Sequence, residues 1–230
     1  MKKPTPQTKA DSRPEKPTPV PNPAPERKSA PLLILISAPS GGGKTTLCNL
    51  LLESQPGMTR AITCTTREPR AGEREGVDYY FLEAENFLKR LQAGNFLEHA
   101  TVYGHSYGLL RSELTSKLRD GHDVLLNVDV QGAATIKQQA EADPELRRAL
   151  VTVFLTPPSL KILEERLRKR GADAEAVVRK RLAVAKQEIA QWKNFDYLIV
   201  SGSKEADLRQ MLAIVEAEKM RTTRAHPGQF

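Results

Sequence analysis

Leu32-Leu33-Ile34-Leu35-Ile36-Ser37-Ala38-Pro39-Ser40-Gly41-Gly42-Gly43-Lys44-Thr45 is the stretch on which the reading of this chain turns. Five consecutive apolar residues, bounded by a turn, read as a strand buried on both faces, the pattern of a parallel sheet. A glycine-rich turn over residues 38–43 follows, and Thr45 to Glu53 reads as a helix that ends near Gln55-Pro56-Gly57. The turn matches G-x-x-x-x-G-K-[ST] except that Ala38 stands for the first glycine, and the strand before it and helix after it supply the required context. Glycines let successive backbone N–H groups converge on one cavity, and the helix N-terminus adds partial positive charge. Lys44 adds a full charge for the β- and γ-phosphates, and the Thr45 hydroxyl is placed to hold Mg²⁺. A turn that binds nothing has no need of a Lys-Thr pair directly after its last glycine. The nucleotide-binding set is therefore Ala38, Pro39, Ser40, Gly41, Gly42, Gly43, Lys44, Thr45 and Thr46. It indicates a nucleoside triphosphate and Mg²⁺ without naming the reaction.

Working outward, Arg60–Cys64, Val124–Val130, Leu150–Leu155 and Asp196–Val200 are further strand candidates. Helical patterns lie over Ala133–Glu141, Ser159–Arg170, Asp173–Trp192 and Ser203–Arg221. Strands alternating with helices imply an α/β fold whose parallel sheet is covered by helices on both faces. From Thr65 to about Gly121 the pattern changes to short mixed segments, Tyr79–Leu82 and Phe96–Tyr103, with helices near 84–93 and 110–120. This region reads as an insert folded beside the sheet.

Of 230 residues, the first 30 hold only Met1, Ala10, Val20, Ala24 and Ala30 as apolar residues, and nine of the sixteen prolines lie within residues 1–31. Such a segment cannot offset its ordering entropy by burial, so residues 1–30 are expected to be a disordered tail. The tail carries seven Lys or Arg against three Asp or Glu, a net +4, which leaves +3 of the chain's +7 for the rest. That ordinary balance weakens a nucleic-acid reading of the basic composition. Two cysteines, Cys48 and Cys64, exclude a disulfide framework and a zinc site of four cysteines. The longest apolar run is too short to span a bilayer, and no apolar stretch follows Met1-Lys2-Lys3 as a secretion signal requires. A cytoplasmic protein without a membrane partner is the expectation.

A second motif opens the insert: Thr65-Thr66-Arg67-Glu68-Pro69-Arg70-Ala71-Gly72-Glu73-Arg74-Glu75-Gly76-Val77-Asp78-Tyr79-Tyr80-Phe81. Two guanidinium forks, Arg67 and Arg70, suit a phosphate monoester. A solvated charged loop fits the same residues, and spacing alone leaves both readings open. Here the sequence closely resembles the guanylate kinases, whose signature T-[ST]-R-x-x-[KR]-x-x-[DE]-x-x-G-x-x-Y-x-[FY] is satisfied throughout residues 65–81. The Ser37-Ala38-Pro39-Ser40-Gly41 loop opening also occurs among bacterial members, and the resemblance covers about residues 31–220.

The resemblance implies a P-loop NTPase-type core (31–63, 122–158 and 182–225), a GMP-binding insert (64–121) and a helical lid (about 159–181), within a domain over 31–225. It assigns the GMP phosphate to Arg67, Arg70, Tyr79 and Tyr107, and guanine to Thr63 and Glu98. Glu98 makes chemical sense there, because one carboxylate accepts both guanine N1–H and N2–H while the N1 lone pair of adenine is repelled. Without the resemblance Glu98 would read as an ordinary exposed strand residue. The same resemblance assigns catalytic arginines to Arg166, Arg170 and Arg181. Arg166 and Arg170 share a helical face as like charges, which an anion between them would relieve. Arg181 has Val177, Val178, Val184 and Ala185 at helical spacing and no acid among them; it either clamps a phosphoryl group or snorkels beside an apolar stripe. Asp129 ends a buried strand, where it supports Mg²⁺ through water, caps the next helix, or does both.

Three positions depart from the family pattern. Asn127 stands in place of a usual acid, Leu109 in place of a Ser or Thr that touches the base, and Ser201 in place of an Asn near adenine. Each is expected to lose a polar or charged contact. The implied activity is reversible, Mg²⁺-dependent phosphoryl transfer from ATP to GMP or dGMP, with no nucleic-acid partner expected. Three rivals stand beside it: an inactive guanylate-kinase-like interaction module, a related kinase for another phosphorylated nucleoside or sugar, and nucleic-acid binding through the tail.

Overall fold

The computed structural model describes residues 29–102, 104–169 and 175–225. The stretch 1–28 expected to be disordered, Tyr103 at the end of a predicted strand, Arg170, Asp173 and residues 226–230 lie outside them. Along the chain run β1 (Leu33–Ser37), α1 (Lys44–Ser54), β2 (Met58–Arg60), β3 (Cys64–Thr65), β4 (Tyr80–Phe81), α2 (Ala84–Gln92), β5 (Phe96–Val102), β6 (His105–Leu110) and α3 (Arg111–Arg119). Then come β7 (Asp123–Asn127), α4 (Val130–Glu141), α5 (Pro144–Ala149), β8 (Leu150–Thr156), α6 (Leu160–Lys169), α7 (Glu175–Ile189), β9 (Tyr197–Val200) and α8 (Lys204–Lys219).

Five strands form a parallel sheet in the order β2-β7-β1-β8-β9. β1 lies at its centre, hydrogen-bonded to β7 on one side and β8 on the other, and all its residues are buried. Side chains alternate across the sheet. Leu32, Ile34 and Ile36 enter a core with Leu47, Cys48 and Leu51 of α1 and Met211 and Val215 of α8. Leu33 and Leu35 enter a second core with Leu114 and Leu118 of α3, Ile136 of α4 and Leu146 of α5. Two cores, one on each face, explain why Leu32–Ile36 is apolar without a break. Cys48 and Cys64 are free and buried, and burial pushes both thiols up to about 11, so they serve as small apolar groups.

The insert forms its own four-stranded sheet, β4-β3-β6-β5, antiparallel except between β3 and β4. Its small core stacks the Phe87 and Phe96 rings at 4.4 Å beside Cys64. α6 and α7 pack through Leu163, Leu167 and Ala185.

The structure revises several predicted boundaries. The strand expected over Arg60–Cys64 is split: Ala61 N–H still donates to Leu125 O, but the chain then leaves the core sheet and joins the insert at Cys64. α4 begins at Val130 rather than Ala133, because Asp129 caps it by accepting Gly132 N–H at 2.8 Å. α7 stops at Ile189, and Trp192–Asn194 forms a separate 3₁₀ turn. β6 and α5 are additions to the sequence expectation.

The two ends of the described domain are fastened together. Ser29 bridges Ala225, and Ala30 N–H donates to Arg224 O at 3.0 Å. The Arg224 side chain is buried, donates to Arg148 O at 2.8 Å and pairs with buried Glu218, which also accepts from the Tyr197 hydroxyl. No helix among the described residues is long and apolar enough to cross a membrane.

Candidate active site

The C-terminal ends of β1 and β7 open on one edge of the sheet, the usual place for ligands in a parallel α/β fold. Residues 38–43 curl there, with Gly42 N–H closing a turn on Pro39 O at 2.8 Å. A Cβ at Gly42 would lie 2.9 Å from that carbonyl oxygen, so the turn needs glycine. Gly43, in the left-handed region at φ +100°, is the N-cap of α1 and has no side chain to occupy the first N–H groups. Those donors stay available for an anion. Ala38 through Thr45, Asp129 and Glu188 line a cavity of about 300 Å³. Lys44 Nζ donates to Val128 O at 2.8 Å. Burial lowers the Lys44 pKa, with Asp129 pulling the other way. A phosphate in this cavity would favour the charged form.

On the other side of the loop, Thr46, Leu50, Arg166, Ser201 and Gly202 line a larger cavity of about 470 Å³. The Arg166 guanidinium leans on the loop, 3.4 Å from Gly42 O, and donates to Ser201 Oγ at 3.4 Å. Ser201 in turn donates to Asp207 Oδ2 at 2.8 Å. Ser201 thus hydrogen-bonds both an arginine and an acid.

In the insert, Thr65 and Thr66 pin the loop. Thr65 Oγ1 accepts Arg67 N–H at 3.2 Å, and Thr66 Oγ1 accepts Ser106 N–H at 2.9 Å. Arg67, with its side chain 11% exposed, lies 5.5 Å from the centre of the Tyr79 ring and reaches the Tyr107 hydroxyl. Tyr79 and Tyr107 stand edge to face at 6.1 Å. Arg67, Tyr79 and Tyr107 therefore form one cluster. Glu73 completes it, accepting from Arg67 Nη2 at 2.9 Å and from Arg70 N–H at 2.8 Å. These bonds hold the Glu73 carboxyl below its ordinary range. Arg70 is exposed on the same loop.

Glu98 follows an irregularity in β5, and burial, then the nearby Asp129 charge, raises its pKa. A Cβ at Gly132 would sit 3.4 Å from Glu98 Oε1 and 3.5 Å from Asp129 Oδ1, so the two carboxylates approach each other across a glycine. Leu109 is paired with Glu98 in the sheet register and is 1% exposed, packed in the core. Thr63 is half-buried, its carbonyl accepting Tyr80 N–H at 3.0 Å. Asn127 is exposed at the end of β7.

On α6, Arg168 pairs with Glu164 one turn earlier and also with Glu175 at the start of α7. Arg181 and Glu188 line a third cleft, of about 480 Å³, together with Ser40 of the loop. Arg170 lies outside the described residues. Glu188 carries no motif and was not foreseen as a site residue. Its one readable signal is a seven-residue spacing from Arg181.

Among the described residues no group of three or more His, Cys, Asp or Glu side chains is arranged to hold a metal. Thr45 and Asp129, both on the phosphate cavity, instead offer the sparse hard-oxygen set that suits a Mg²⁺ ion delivered with phosphates.

The sequence model for guanylate kinase matches residues 30–218. A guanylate kinase of Paramagnetospirillum magneticum is 41% identical over 193 residues, 84% of this chain and 87% of that protein. One from Idiomarina loihiensis is 44% identical over 191 residues, covering 82% and 88%. The crystal structure of guanylate kinase from Anaplasma phagocytophilum superposes with a TM-score of 0.66 at 34% identity, covering 87% of this chain and 93% of that one. Phosphate loop, arginine–tyrosine cluster, match and superposition agree: the chain belongs to the guanylate kinase family.

Proposed function

We infer that the chain transfers the terminal phosphoryl group of ATP to GMP or dGMP, reversibly giving ADP and the diphosphate, with the work divided among its residues as follows. The loop N–H groups and Lys44 hold the β- and γ-phosphates of ATP. Arg67, Arg70, Tyr79 and Tyr107 hold the GMP phosphate, and Glu98 with Thr63 reads guanine. Arg166, Arg170 and Arg181 neutralise charge on the transferring group. An oxygen of the GMP phosphate attacks the γ-phosphorus and ADP leaves, so no protein nucleophile is required. Catalysis is positioning and charge neutralisation, and closing over the substrates keeps water from taking the phosphoryl group. Mg²⁺, held by Thr45 and through water by Asp129, would offset charge on the β- and γ-phosphate oxygens.

The observation that carries this reading is the place of Asp129. It lines the phosphate-loop cavity and also stands beside Glu98, so the base-reading carboxylate and the triphosphate site meet at the N-terminus of α4. Two buried free thiols suit a reducing compartment, in keeping with a cytoplasmic enzyme.

The test is a coupled ADP-release assay with ATP and Mg²⁺, offering GMP, dGMP, AMP, CMP, UMP and ribose phosphates side by side. Turnover with GMP and dGMP well above the others is expected. Preference for another acceptor would point to a related kinase, and ATP binding without turnover to an interaction module.

A further inference from the structure

We propose that Glu113 is a positioning residue for base recognition: its carboxylate closes a hydrogen-bonded ring that holds the backbone of Thr63. The inference rests on the reading of Thr63 given above. Glu113 lies in the first turn of α3, where an acid needs no further reason. This one differs in that its side chain is only 8% exposed and both of its oxygens are engaged. Oε1 accepts the N–H of Ile62 at 2.9 Å, and Oε2 accepts the hydroxyl of Tyr80 at 3.1 Å. Tyr80 in turn donates its backbone N–H to Thr63 O at 3.0 Å. The ring therefore runs from Glu113 through Ile62 to Thr63, across to Tyr80 and back to the carboxylate. Lys117, one turn on, pairs with Oε1 at 2.5 Å and donates to Arg60 O at 2.7 Å. That cation offsets the buried charge and ties the same stretch of chain a second time.

That stretch is a step between two sheets. Ala61 N–H still bonds Leu125 O of the core sheet, and Cys64 already pairs with Tyr80 and Gly108 in the insert. Ile62 and Thr63, between them, belong to no strand. Backbone outside a ladder takes its conformation from whatever hydrogen bonds it finds. Here they come from two directions. α3 is anchored in the core by Leu114 and Leu118, both buried, so Glu113 holds Ile62 from the core side. Tyr80 holds Thr63 from β4, on the insert side. One carboxylate thereby ties the position of Thr63 to core and insert at once. The chemistry calls for an acid at this point. Both partners are donors, and a carboxylate offers an acceptor on each arm, whereas an amide would turn an NH2 toward one of them. Burial, then the Glu113 charge, raises the pKa of the Tyr80 hydroxyl, which keeps it a donor.

The test is steady-state kinetics of the full chain with ATP and GMP each varied, AMP as the competing acceptor, and Tm measured alongside. Tyr80→Phe removes one bond of the ring and leaves α3 untouched; it should raise KM for GMP by about threefold. Glu113→Ala opens the ring on both sides. It should raise KM for GMP by about tenfold and lower the GMP-to-AMP ratio of kcat/KM by a similar factor, with KM for ATP within about twofold. Glu113→Gln, which keeps one acceptor, should fall between the two, and with Tyr80→Phe it carries the test if Glu113→Ala does not fold. Added to Thr63→Ala, either Glu113→Ala or Tyr80→Phe should cost less than about a further twofold in KM for GMP, because the side chain they position is already gone. A lower Tm with KM for GMP and base preference unchanged would overturn the inference and leave a purely structural carboxylate. Equal rises in both KM values, multiplicative losses in the double variants, or an unchanged KM for GMP in Thr63→Ala would overturn it too. In each of these cases GMP turnover by the unsubstituted chain keeps the kinase reading intact; an absence of ADP release from that chain would remove both.

Discussion

Arg67 and Glu73 grip each other on the insert loop, with Nη2 of the arginine 2.9 Å from one carboxylate oxygen and 3.0 Å from the other. Nη1 meanwhile donates to Glu68 O at 2.7 Å. The guanidinium is thus held in a fixed plane beside Tyr79 and Tyr107, with its orientation set before a phosphate arrives. A lysine has the charge but not the planar fork, and cannot keep the contacts to both Glu73 oxygens and Glu68 O while presenting donors to a phosphate. Arg67→Lys should raise KM for GMP by about tenfold or more and leave KM for ATP within about twofold; steady-state kinetics with each substrate varied decides it.

Lys44 is the cation of the phosphate cavity. Lys44→Ala should cut kcat by about 10³-fold. Its folded-state pKa lies below the ordinary lysine value because burial disfavours the charge. Wild-type stability should therefore gain as pH rises toward 10.5, and the alanine variant should match or exceed wild-type Tm at pH 7. Calorimetry beside the kinetic assay separates loss of chemistry from loss of fold.

Glu98 offers the opposite sign among the acids. Its raised pKa means that the folded state binds a proton more tightly than the unfolded state, so Glu98 subtracts stability at neutral pH and less as pH falls below its folded pKa. Glu98→Gln should raise Tm at pH 7 while reducing the preference for GMP over AMP. In the wild type, KM for GMP should climb as pH falls toward the raised Glu98 pKa, since a protonated carboxyl cannot accept both guanine donors. The glutamine variant should lose that pH dependence.

Arg224 is far from the chemistry and tests the fold alone. Its removal leaves Glu218, 2% exposed, without its buried partner. Arg224→Ala should destabilise by about 3 kcal/mol, measured by urea unfolding, with KM values unchanged. Exposed Arg221, 3.4 Å from the same carboxylate, keeps the loss at the low end.

What the residues reveal before folding is uneven, for identifiable reasons. β1 and the phosphate loop are legible because strand, turn and helix are contiguous and each residue type has a local cause. Asp129 as a helix cap is legible for the same reason. β6 is not: His105-Ser106-Tyr107-Gly108 has little strand character of its own and is held by pairing with β3 and β5. α5 has a local cause as well, since Asp143-Pro144-Glu145 is a helix start; Asp143 accepts from Glu145 and Leu146 N–H. The Arg67–Tyr79–Tyr107 cluster depends on β3 meeting β6, which spacing alone does not reveal; the family signature supplied it. The partners of Ser201, Arg166 and Asp207, come from two different helices and are not readable from its neighbours in the sequence.

The bridge between Ser29 and Ala225 brings the first and last described residues of the domain side by side. A short flexible linker could join them, and the polypeptide could then be opened at an exposed bend such as Gly94, giving a circular permutant with the same sheet order. In that permutant the phosphate loop would sit deep in the polypeptide's order of synthesis, yet in the same place in space, so survival of catalysis would show that the enzyme depends on which strands are neighbours and not on which is made first.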